Sequence, residues 1–139
     1  MPEEPLLKVA KAVLLLDGKF VLQLRDDKPD IAAAGLWGTF GGAIEEGETP
    51  EEAIVREVEE ELCIRPEFTF LWRADYHSDF IGGMVASWVF RASVDELWAG
   101  HRVNEGQGAG TFAYDDLPRD RVSAPALEVL DRFQATIGR

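Results

Sequence analysis

The sequence predicts an α/β domain in which β-strands flank one strongly marked helix. Three observations predict it: two β-rich runs that meet at Asp17-Gly18, a helix-start pattern from Thr49 to Glu52, and a strand-like run from Met84 to Val94. Lys8 to Leu16 and Lys19 to Leu24 should pair antiparallel, because Asp-Gly supplies the two positive-φ residues of a tight hairpin turn. Asp26 to Gly35, with Pro29, Asp30 and the small residues Ala32 to Ala34, reads as a loop leading into an extended run from Leu36 to Phe40.

The helix follows. Thr49 can cap the free amides, Pro50 supplies a helical φ at the first position, and Glu52 closes a capping box. At about 100° per residue, Ile54, Val55, Val58 and Leu62 share one side and pack on a core, while Glu57, Glu60 and Glu61 form the adjacent stripe. Beyond it, Phe68 to Tyr76 and Met84 to Val94 read as strands, and alternation in the second suggests that both its faces are partly covered. Val103 to Gly110 reads as a loop, Thr111 to Tyr114 as a short strand and Ala124 to Ile137 as a closing helix.

Composition narrows the function classes. A chain of 139 residues, 46% apolar with four Trp and eight Phe, suits one domain spanning residues 1–139. A net charge of −12 argues against a groove for polymeric nucleic acid, which needs Lys and Arg to neutralise many phosphates. The acidic start MPEEPLLKVAK does not resemble a signal peptide, and no apolar run approaches membrane-spanning length. The lone Cys63 excludes an internal disulfide and suits a reducing compartment, so the expected location is cytoplasmic. With only His77 and His101, both expected to be exposed polar residues, histidine-based nucleophile machinery has little support.

Chemistry concentrates between Gly42 and Ile64, where nine carboxylates face a single Arg56. Glu57, Glu60 and Glu61 stand at i, i+3 and i+4, a spacing that costs a helix roughly 0.2–0.5 kcal/mol per like-charged pair. A divalent cation relieves that repulsion, and hard oxygen donors without His or Cys favour Mg²⁺ or Mn²⁺ over zinc. A solvated acidic face is the competing reading. The joint occurrence of Gly41-Gly42, Glu48, the capping box and Arg56-Glu57 at fixed offsets favours the metal site.

That spacing resembles the signature of the MutT-like Nudix hydrolases, G-x5-E-x7-R-E-U-x-E-E-x-G-U, where U is a bulky aliphatic. The chain matches it at Gly42, Glu48, Arg56, Glu57, Val58, Glu60, Glu61 and Ile64 and departs only at Cys63, where the family has glycine. Glycine there permits the left-handed turn that commonly ends a helix, so Cys63 puts helix termination in question and not ligation.

The resemblance implies a mixed β-sheet sandwiched between α-helices. It also implies Glu57, Glu60 and Glu61 as metal ligands, with the Gly41 carbonyl as a further oxygen, and Arg56 and Glu48 as supporting residues. Glu57 and Glu105 are the candidate general bases, with Glu57 favoured because the strong motif fixes its position. The implied reaction is hydrolysis of a nucleoside diphosphate linked to another moiety, with a nucleoside triphosphate or a nucleotide sugar as substrate. Bound cations that neutralise phosphate oxygens and polarise water lower the barrier to such hydrolysis.

Arg25 and Lys28 are candidate phosphate contacts, and Trp37, Phe40, Trp72, Tyr76, Phe80 and Trp88 are candidates for base stacking or for the core. A nucleotide-sensing or interaction domain without turnover is the rival reading. Loss of one or more ligands would be its sign, and the sequence shows none. A homodimer is common in the family, and Leu97-Trp98 offers an apolar surface for one.

Overall fold

The computed structural model describes residues 4–31, 33–104 and 108–137. Strands β1 (Leu7–Leu16) and β2 (Lys19–Leu24) form the expected hairpin, and Asp17 and Gly18 take φ of 51° and 77° at its turn. β3 (Trp37–Gly38) and β4 (Phe40–Ala43) follow, then α1 (Pro50–Leu62), β5 (Thr69–Ser78), β6 (Gly83–Ser93), β7 (Gly108–Phe112) and α2 (Ala124–Ile137), with short 3₁₀ turns between the later elements. No described helix is long and apolar enough to cross a membrane.

Among the described residues the strands form one mixed sheet of seven. β6 pairs in parallel with β1 from Leu7 to Leu15 and is antiparallel to β5. The other edge of β1 is shared: Leu14 to Leu16 pair with β2, whereas Val9 to Ala12 pair with β4. In the same way β2 pairs with β1 through Lys19 to Val21 and with β3 through Gln23 and Leu24. The hairpin strands therefore part near Val13 and Leu22, and the β3-Thr39-β4 segment fills the fork. The Leu36 to Phe40 run is thus two short strands broken at Thr39, because each half pairs with a different strand.

Alternation along β1 separates two cores. Ala10, Ala12 and Leu14 pack with Phe40, Ile54, Val58, Leu62 and Phe90 under α1. Val13 packs with Phe20, Leu22, Val89, Leu130 and Phe133 under α2. Because β6 lies between β1 and β5 with a helix layer on each side, Val85, Ala86, Ser87, Val89, Phe90 and Ala92 are all buried, as its pattern suggested. Val55 departs from the expected apolar stripe: it is only half-buried, while Ala53 and Glu61 are buried.

The loop expected over 103–110 is corrected in part, since β7 begins at Gly108 and pairs with β2 from Phe20 to Leu24. Backbone pairing along β2 overrides the turn preference of glycine. At Gly110 a side chain would press on the Trp37 ring, with a Cβ 2.9 Å from it.

Cys63 keeps the helix-ending geometry that glycine normally serves. Its φ of 60° and ψ of 29° are left-handed, and its N–H donates to Glu59 O at 2.8 Å. Asn104 secures this end from outside, its Nδ2 donating to Glu60 O and approaching Cys63 Sγ, both at 3.0 Å. Cys63→Gly should therefore stabilise the protein by about 0.5–1 kcal/mol, the relief of left-handed strain less the greater entropy of an unfolded glycine. Denaturant titration measures this, and turnover should stay unchanged. A large fall in turnover at unchanged stability would give Cys63 a role other than ending α1.

Candidate active site

α1 starts as its sequence demands. Thr49 Oγ1 accepts from Glu52 N–H at 3.1 Å, and Glu52 returns a bond to Thr49 N–H at 2.9 Å. Pro50 stands in the first turn, so the phase of the helix is fixed at its N-terminus and the acidic stripe is aimed at β4.

Arg56 links that stripe to the preceding loop. Its Nε and Nη2 hold Glu48 in a two-point ion pair at 2.8 and 2.9 Å, and Nη2 also donates to Ala43 O at 3.0 Å. Nη1 donates to Glu57 at 2.9 Å and lies 3.4 Å from Glu60 and 3.7 Å from Glu45. Arg56 first, with help from Glu45 N–H, holds the Glu48 carboxyl down at about pKa 2. Glu48 reciprocally raises the Arg56 pKa further, with Glu57 adding to it. Arg56 and Glu48 thus connect the loop to the helix.

The three stripe acids differ in setting. Glu60 is exposed, Glu57 has a side chain only 15% exposed, and Glu61 is buried at 2%. Glu61 accepts from Gly41 N–H at 3.1 Å, which ties the helix to β4. Glu57 lies against Gly42 so closely that a Cβ there would fall 2.5 Å from its carboxyl carbon. Gly42 thus lets the Glu57 carboxylate approach the β4 backbone, whereas the missing side chain of Gly41 makes room for β1 and its N–H holds Glu61.

Among the described residues no group of three His, Cys, Asp or Glu side chains stands in a ready metal cluster. Glu57 is turned toward Arg56 and Glu61 toward Gly41. The donor chemistry nevertheless fits a hard divalent cation: three carboxylates on one helix face, beside backbone bared by two glycines. Glu105 lies outside the described residues.

A cleft of about 420 Å³ opens at the fork of the sheet, and Gly41 and Gly42 form part of its wall. Arg25 lines it, whereas Lys28 does not and pairs with Asp26 at 3.9 Å. Of the candidate aromatics, Tyr76 and Phe80 line the cleft. Phe40 is buried in the α1 core, Trp88 packs against that core, and Trp37 and Trp72 pack against the α2 core. His77 is exposed at the cleft, but His101 is half-buried and stacks on Trp98 with ring centres 3.6 Å apart. Trp98 itself is partly buried against the α1 core, which leaves Leu97 as the exposed residue of that pair.

Sequence reading missed Lys11, which projects from β1 into the cleft beside Gly41. Its signal was a single cation inside the apolar run VAKAVLLL.

A NUDIX domain model matches residues 6–133. The chain belongs to the Nudix family. A curated relative, the CTP pyrophosphohydrolase of Escherichia coli K12, is 41% identical over 59 residues, which span 42% of this chain and 42% of that protein. The structure of a MutT Nudix hydrolase from Burkholderia pseudomallei shares 32% identity at a TM-score of 0.77, covering 93% of this chain and 98% of that one. The MutT protein of Methanosarcina mazei Go1 superposes over all of both chains at a TM-score of 0.83 and 21% identity. This Nudix domain therefore has the family's mixed sheet between two helices.

Proposed function

We propose that this Nudix domain, taken as residues 1–139, hydrolyses a phosphoanhydride bond in a nucleoside diphosphate linked to another moiety. The substrate is a nucleoside triphosphate or a nucleotide sugar. The observation that carries the reading is the placement of Glu57 and Glu61 against Gly42 and Gly41, two glycines that also line the cleft of about 420 Å³. The activity of the curated CTP pyrophosphohydrolase supports it, although that match spans less than half of either chain.

Glu57, Glu60, Glu61 and the Gly41 carbonyl would hold Mg²⁺ or Mn²⁺. Such a cation neutralises phosphate oxygens and increases the acidity of water. Glu57 takes the proton of the attacking water, Arg56 and Glu48 keep the helix and loop in register, and Glu105 adds a second carboxylate. The water oxygen bonds to the phosphorus on the nucleotide side while the bridging P–O bond breaks. A nucleoside triphosphate thus gives a nucleoside monophosphate and pyrophosphate.

A panel of nucleoside triphosphates and nucleotide sugars, assayed with Mg²⁺ and with chelator, tests this through the products. Metal-dependent release of nucleoside monophosphate is the expected result. Nucleotide binding without turnover across the panel would replace the enzyme by a sensing domain.

A further inference from the structure

We propose that Lys11 is a specificity-determining residue of the cleft, its ammonium donating to a carbonyl oxygen on the base of the nucleotide. The inference rests on the reading that the cleft takes a nucleotide. Lys11 is the ladder partner of Gly41. Its neighbours Ala10 and Ala12 enter the core under α1, so its side chain leaves the opposite face of the sheet from the acids of that helix. Lys11, Gly41 and Gly42 nevertheless line one cleft, so a nucleotide with phosphates at the glycines can extend toward Lys11.

The surroundings of Lys11 suit a neutral acceptor. Nζ donates to the Tyr76 hydroxyl at 3.2 Å and sits 4.5 Å from the centre of the Tyr76 ring. An ammonium has three N–H donors, and the Tyr76 hydroxyl takes one of them. Val9, Val85, Phe80 and Ile81 give the nearby cleft wall an apolar character. Burial lowers the Lys11 pKa to about 8, with Glu128 of α2 opposing that shift and Arg25 adding to it. Beside this apolar wall a dianionic phosphate would lose far more hydration than a base carbonyl. A base carbonyl gains a charge-assisted bond there. Uracil, cytosine and guanine carry such an oxygen, and adenine does not.

Equilibrium titration of wild type with UMP, CMP, GMP and AMP tests the inference on nucleotides without an anhydride to cleave. At least one oxo-base nucleotide should bind more tightly than AMP. In Lys11→Met that preference should shrink about tenfold or more, the worth of one hydrogen bond to a charged donor, while AMP affinity changes little. Tyr76→Phe, which removes the hydroxyl that positions the ammonium, should shrink the preference by a smaller factor, and it carries the test if Lys11→Met does not fold.

An unchanged preference in a folded variant overturns the inference. So does an equal weakening of all four nucleotides, which would make Lys11 a phosphate contact, or a failure of wild type to bind any of them. Turnover of CTP is scored separately: hydrolysis without base preference retains the proposed activity and removes the role of Lys11, and base preference without hydrolysis does the reverse.

Discussion

Glu57→Gln is expected to lower kcat by about 10²–10⁴-fold, the usual cost of removing a general base. Glutamine keeps the size of the side chain, so the fit against Gly42 and the bond from Arg56 to the retained side-chain oxygen can survive. What disappears is the proposed proton acceptor and anionic ligand. Saturating Mn²⁺ should recover only the part due to weakened ligation. Glu105→Gln is expected to lose less, because the strong motif fixes Glu57 and not Glu105. Steady-state kinetics of both variants across a metal titration make the comparison. If Glu105→Gln abolishes turnover while metal rescues Glu57→Gln, the two residues exchange roles.

Gly41→Ala should cost the fold about 3–5 kcal/mol, with positive-φ strain and steric overlap both contributing. Gly41 has φ of 139°, and a Cβ built on it would lie 2.0 Å from Ala10 O and 3.0 Å from Lys11 Cα. Both obstacles are backbone atoms of the central strand, so no rotamer change relieves them. For a domain of this size the melting temperature should fall by about 10–15 °C. Calorimetry checks this, and a loss under about 1 kcal/mol would show that β4 can move away from β1.

The legible parts of this molecule were those with local causes. The Asp17-Gly18 turn and the Thr49 capping box depend on residues a few positions apart, and each stands where the sequence put it. The ends of the fork did not show in the sequence. Trp37 and Phe40 occupy one extended run, yet they pair with different strands, a choice made by the divergence of β1 from β2.

Burial of Glu61 was hidden for a similar reason. Three acids on one stripe look alike until β4 approaches and the Gly41 N–H claims one of them. β7 was shortened in the reading because glycine suggests turns locally, whereas the edge of β2 rewards any backbone that can pair. Lys11 carried a signal of another kind: a charge at a strand position whose neighbours are apolar. Such a charge acquires meaning only once Tyr76, 65 residues away, is found to hold it.

Central to the account is a divalent cation held by the acids of α1. Thermal unfolding of wild type and Glu57→Gln, with Mg²⁺ and with chelator, tests it most directly, with turnover followed in the same samples. Wild type should melt at a higher temperature in Mg²⁺, since a cation at about a hundred times its Kd adds about 2.7 kcal/mol to the folded state. Glu57→Gln should show a smaller rise at the same concentration. An unchanged wild-type melting temperature at saturating Mg²⁺, together with turnover that survives chelation, would contradict the account.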